Sequence, residues 1–154
     1  MNWKLPPKIK IYEALGALAD GRLEKDGDEI RVYSSTRSKY YNVWLGEPDE
    51  IMTNDNGSFW VGYLGYPALS YLMSIGDLPL EESYAQALSG IQWKDLNTQY
   101  KNDFDKVILE IENSMVEQGI NIDKFHDYLD DVLRVLTEKS YTKFGKRKHP
   151  PTGY

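Results

Sequence analysis

Residues 29–45 read EIRVYSSTRSKYYNVWL. Two alternating runs, Glu29 to Ser34 and Lys39 to Leu45, flank a polar turn, Ser35 to Ser38. Ile30 and Val32 fall on one face of the first run, with Arg31 and Tyr33 on the other. In the second run Tyr41, Val43 and Leu45 oppose Tyr40, Asn42 and Trp44. Successive side chains of a strand point to opposite faces, so this rhythm predicts two half-buried strands. The short turn between them predicts antiparallel pairing.

The same rhythm extends outward. Upstream, Arg22 to Lys25 is a short strand. Asp26-Gly27 is a hairpin signal, because both turn positions tolerate positive φ. Downstream, Gly46-Glu47-Pro48-Asp49 turns the chain. Glu50 to Thr53 is a fourth strand, Asn54 to Ser58 a turn, and Phe59 to Val61 a short fifth strand. The expectation is an antiparallel meander of three to five strands. Ahead of it, Pro6-Pro7 opens a helix over 7–19, with Ile11, Tyr12, Leu15, Leu18 and Ala19 at helical spacing. Gly21 stands where a C-terminal cap belongs.

At Pro67 the period changes from two to 3.6. Helices are expected over 67–75, ended by Gly76, and over 80–89, ended by Gly90. A long helix over 93–118 carries the stripe Leu96, Tyr100, Phe104, Val107, Ile108, Ile111 and Met115. Gly119 caps it. Asn121 can N-cap a last helix over 122–140. The short link between the last two predicts a long antiparallel helix pair. The fold class is therefore α+β: an N-terminal helix, the meander, then a helical layer covering the apolar face of the sheet. Residues 1–142 are expected to form a single α+β domain; a semi-independent helical hairpin over 92–140 is the alternative. Residues 143–154 read as a flexible basic tail, too poor in apolar residues to order themselves.

The composition excludes several function classes. The 154 residues contain no cysteine, which rules out disulfides, thiolate nucleophiles and cysteine zinc sites, and which fits a cytoplasmic protein. The N-terminus lacks the pattern of a signal peptide, and no apolar run approaches the ~20 residues of a membrane span. The net charge is −6, unevenly spread. Five of the 18 basic residues lie between Lys139 and Lys148, with no acid from Lys139 onward, leaving the remainder at −11. Such a body repels polyanions, so nucleic acid is an unfavourable partner except through Lys143, Lys146, Arg147 and Lys148.

Motifs that carry chemistry are scarce. The two histidines, His126 and His149, are far apart; His126 can pair with Asp130 one helical turn on. Gly62-Tyr63-Leu64-Gly65 lacks the Lys-Ser/Thr of a phosphate loop. Asn54-Asp55-Asn56-Gly57-Ser58 resembles part of a calcium loop, but aligning Gly57 places Met52 and Tyr63 where acidic ligands are needed. No metal and no cofactor is therefore expected.

The unusual segment is Asn54 to Tyr71, where Phe59, Trp60, Tyr63, Tyr66 and Tyr71 are interleaved with glycines. Aromatic rings with polar tips suit both cores and binding surfaces. Three readings follow. The first is a non-catalytic binding or assembly module using Asn54, Asp55, Asn56, Trp60, Tyr63 and Tyr66 to hold an unknown protein or small molecule; a further copy of the chain is another candidate partner. The second is a small enzyme with Asp55 as acid or base, Asn54 and Asn56 donating hydrogen bonds. The third is a nucleic-acid binder, with Tyr33, Tyr40 and Trp44 as stacking platforms and the basic tail on phosphates. They rank in that order, and the balance leans away from an enzyme.

Overall fold

The computed structural model describes residues 1–152. Helix α1 (Ile9–Ala19) comes first. Strands β1 (Leu23–Asp26), β2 (Glu29–Tyr33), β3 (Tyr40–Leu45) and β4 (Ile51–Thr53) follow in an antiparallel sheet of sequential order. Then come a π-helical turn (Gly57–Val61) and helices α2 (Tyr66–Ser74), α3 (Glu82–Ala87), α4 (Trp93–Gln99), α5 (Phe104–Glu117) and α6 (Ile122–Lys139). No helix among the described residues is long and apolar enough to cross a membrane.

The period-two pattern sets the sheet register. Ile30 pairs with Val43 and Val32 with Tyr41, and all four side chains are buried on one face. Leu45, assigned by alternation to the same face, lies at the strand end and is exposed. Helix α2 lies against β3 and β4, and α1 packs on α2, its buried side chains joining those of the inner sheet face in one cluster. Helix α1 is buried over Ile9 and Ile11–Ala17, so it is a core helix rather than an amphipathic surface one. Buried side chains of α5 and α6, including Val107, Met115, Phe125 and Leu129, continue the same apolar cluster. Tyr12 of α1 meets Phe125 edge-on at 5.1 Å.

Two predicted elements take a different form. The fifth strand over 59–61 is replaced by the π-helical turn. The helix predicted over 93–118 is two helices, α4 and α5. Lys101 and Asn102 are both left-handed, at φ 53° and 61°, and Asp103 then caps α5 by accepting from Lys106 N at 3.4 Å. Leu96, Tyr100 and Phe104 keep helical spacing across this break, which hides it from a periodicity reading. Asn121 caps α6 through Lys124 N at 3.2 Å, as its residue type predicts. His126 bonds Glu112 of α5 at 2.8 Å rather than Asp130 of its own helix.

The ends of the described chain are tied beside β4. Thr142 N donates to Asp49 O and Ile51 N donates to Thr142 O, at 2.9 and 3.0 Å. Asn2 bridges the other side of Thr142, and Lys143 N donates to Met1 O at 2.9 Å. The Trp3 indole donates to Ile51 O at 2.8 Å. Of the residues expected to form a basic tail, Gly153 and Tyr154 lie outside the described residues.

Gly16 provides a test of the packing around α1. A helical Gly→Ala change ordinarily stabilises by up to about 1 kcal/mol. Here the added Cβ would stand 2.9 Å from Trp93 Nε1 and 3.1 Å from the Leu88 carbonyl oxygen. Trp93 is buried and the carbonyl is backbone, so neither yields readily. Overpacking, at about 1–3 kcal/mol, should win. Urea denaturation of Gly16→Ala should show a net loss of about 1 kcal/mol or more, and a gain in stability would refute this packing.

Candidate functional site

The π-helical turn starts from a buried carboxylate. Asp55 O accepts from Phe59 N at 3.0 Å, and Gly57 O accepts from Gly62 N at 2.9 Å, the i to i+5 bond of a π-turn. The Asp55 side chain accepts from Ser58 N at 3.2 Å, Ser58 Oγ at 2.7 Å and Thr53 Oγ1 at 3.1 Å. It caps the turn as Asp caps a helix. Two close approaches explain the glycines. A Cβ on Gly65 would stand 1.9 Å from Asp55 Oδ2, and one on Gly57 2.3 Å from the Tyr63 ring. Gly62 ends the turn at φ 96°. Phe-Trp-Val has strand-like composition; the Asp55–Ser58 spacing was the contrary signal.

The six sequence-selected residues occupy three different surroundings. Asn54 is buried, and its Oδ1 accepts from Asn42 N at 2.8 Å, extending the pairing of β3 beyond β4. Asp55 lies behind Thr53 and Ser58. Asn56 is exposed. Tyr63 is half-buried over Gly57. Tyr66 packs edge-on against Tyr41 at 6.1 Å, on the other side of the sheet junction, near Arg22. Of the three aromatic residues only Trp60 is exposed, at 69%.

Burial pushes the Asp55 carboxyl above its ordinary range, against the opposing pull of the Ser58 and Thr53 bonds and of Lys10. Hydrogen-bond counting agrees. Ser58 Oγ has one proton but faces two acceptors, Asp55 Oδ1 at 2.7 Å and Tyr63 O at 2.9 Å. A protonated Asp55 would donate to Ser58 Oγ and release the Ser58 proton for Tyr63 O. Lys10 reaches Glu13 at 2.9 Å. Burial alone would lower the Lys10 ammonium, but Glu13, Tyr63 and Asp55 outweigh it and hold it above its ordinary value. Burial likewise raises the phenols of Tyr63 and Tyr66. The Asp55 oxygens are engaged by Thr53 and Ser58 within the turn, and Asp55 is not among the residues that line the groove beside it.

Trp60 borders an open groove of about 610 Å³ between the π-turn and residues 143–148. Its floor is apolar, with Met52 and Phe59, and Trp3 and Phe144 add further rings. Its other wall is cationic. Lys143 lies over the Trp3 ring at 4.7 Å and Arg147 over Phe59 at 4.0 Å. Arg147 also donates through Nε at 3.1 Å and through Nη2 to the Phe59 carbonyl. Lys148 lies over Trp44 at 5.3 Å, and the His149 ring is 4.4 Å from Phe59. Among the described residues no acidic side chain lines the groove. Trp3 and Phe59 were not selected from sequence as binding residues. Trp3 is brought in by end-to-end pairing over 138 residues, which leaves no local signal. Among the described residues no group of three or more His, Cys, Asp or Glu side chains could hold a metal ion.

The chain belongs to the family described as uncharacterised conserved protein UCP014422, whose model matches residues 3–142. No curated protein and no solved structure matches it. The matched residues include the π-turn and stop one residue short of Lys143.

The Asp55 assignment makes a pH-dependent prediction. An acid whose folded value is raised favours folding while protonated, and this contribution is withdrawn as pH climbs from the ordinary aspartate range to the raised folded one. Lys10 is the ionisable group that pulls Asp55 the other way, and Asp55 in turn helps to raise Lys10, Tyr63 and Tyr66. Asp55→Asn keeps the acceptor for Ser58 N and supplies a permanent donor. Denaturation from acid to neutral pH should show the variant gaining on the wild type across that window. A pH-independent difference would contradict an Asp55 carboxyl raised by burial.

Proposed function

We propose that this member of the UCP014422 family is a non-catalytic binding module whose contact face is the groove beside the π-turn, and that its partner is an acidic segment carrying an apolar or aromatic side chain. The observation that carries the reading is Trp60, a large ring held 69% exposed on a turn fixed by the buried Asp55 carboxylate. An indole left in water at a groove rim is the residue type that anchors protein interfaces. Val61, 52% exposed, extends the apolar edge. The groove volume lies within the roughly 300–1,000 Å³ of ordinary ligand sites.

Charge selects the partner. Lys143, Lys146, Arg147 and Lys148 carry +4 in a chain of −6, so the rest stands at −10. A short acidic segment meets the cationic wall without facing the acidic body. A long polyanion runs on into repulsion. Absence of cysteine fits a reducing compartment, and we place the module in the cytoplasm.

Fluorescence anisotropy of a labelled Asp/Glu-rich peptide bearing one Phe tests this reading. Binding should be measurable at low salt and weaken as salt rises. Trp60→Ala should weaken it by about tenfold or more, the effect of losing an interface anchor, while melting like the wild type because the ring is exposed. Absence of binding up to millimolar protein, or equal binding by Trp60→Ala, would overturn it.

A further inference from the structure

Arg22 is the first residue after the Gly21 cap, and the chain must turn there from α1 into β1. Its side chain is 2% exposed. Main chain and side chain are both pinned to Tyr33: Tyr33 N donates to Arg22 O at 2.9 Å, and Arg22 Nη1 donates to Tyr33 O at 2.9 Å. The other edge of the guanidinium, Nε and Nη2, is buried without a hydrogen-bond partner. The nearest carboxylate there, Asp20 Oδ2, is 3.9 Å from Nε, beyond hydrogen-bond reach, and Asp20 Oδ1 accepts from Gly90 N at 2.8 Å. A buried charge with two idle donors is strongly penalised unless something completes it.

Arg22 lines a small cavity of about 120 Å³ between α1, the sheet and α4, together with Glu13, Tyr66, Trp93 and Asn97. The unsatisfied atoms concentrate on these residues. Trp93 Nε1 and Asn97 Oδ1 are buried and unpartnered as well. Glu13, the one carboxylate on the wall, is already engaged by Lys10 at 2.9 Å and by Asn97 Nδ2 at 3.0 Å. Neither Glu13 nor Asp20, an ion-pair partner at 3.9 Å, supplies a hydrogen-bond acceptor to the Nε–Nη2 edge of Arg22. The Nε–Nη2 edge presents two parallel N–H groups spaced for the two oxygens of a planar oxyanion. At about 30 Å³ per water-sized group, the cavity takes about four non-hydrogen atoms.

From this geometry we infer a second binding site, for a small carboxylate-type oxyanion held side-on by Arg22. The site is independent of the groove and lies wholly within the residues matched by the family model. Bicarbonate and acetate share the required chemistry. Bicarbonate also carries an O–H that Asn97 Oδ1 can accept, so it should bind more tightly.

The test uses the full chain at constant ionic strength, titrated with bicarbonate, acetate or chloride, reading the Arg22 Nε–H and Trp93 Nε1–H nuclear magnetic resonances. Bicarbonate and acetate should move both signals saturably with one common Kd each, and chloride should not. Arg22→Lys keeps the charge but loses the paired edge, and should weaken binding by about tenfold or more. Should that variant not fold, crystals of the wild type grown with bicarbonate decide: a planar oxyanion on the Arg22 edge supports the site, and ordered water alone overturns it. Signals that stay still, or drift alike with chloride, also overturn it.

Discussion

The architecture depends on the burial of α1. An apolar sheet face of Ile30, Val32, Tyr41 and Val43 needs a cover; α2 lies on β3 and β4, and α1 packs against α2. Because α5 and α6 also pack on α1 through Tyr12 and Phe125, almost no side of that helix remains for solvent. Its polar residues must therefore be matched inside the protein. Tyr12 donates to Glu112, Lys10 pairs with Glu13, and Glu13 accepts from Asn97. The polar chemistry of this molecule gathers where a buried helix carries residues that burial would otherwise penalise.

The sheet was legible because its signal is local. Alternation over 29–45 and the Asp26-Gly27 turn place β1 to β3 to within about a residue of the observed bounds. The helix caps at Gly76, Gly119 and Asn121 were legible for the same reason. The π-turn and the α4–α5 break were not. In one, a hydrogen-bonding carboxylate overrode strand-like composition. In the other, two left-handed residues interrupted a stripe whose spacing continued unbroken.

The candidate site was legible only in part, and the reason is geometric. The segment from Asn54 to Tyr71 stood out in the sequence, but the three aromatic residues selected from it diverge. Trp60 faces outward, Tyr63 closes over Gly57, and Tyr66 turns toward Arg22. The glycines admit the chain's own carboxylate and ring. Arg22 looked like an ordinary strand residue; its burial follows from the path between Gly21 and Tyr33, which composition does not record.

The pairing of the chain ends has a mechanical consequence. Asn2 and Thr142 are antiparallel bridge partners, and Met1 and Lys143 leave that bridge side by side. Tension applied through the two ends would load these bonds one after another, as in opening a zipper, instead of all at once in shear. Trp3 and Lys143 ride on the two segments being separated, so pulling would dismantle the groove before it strained the sheet–helix core.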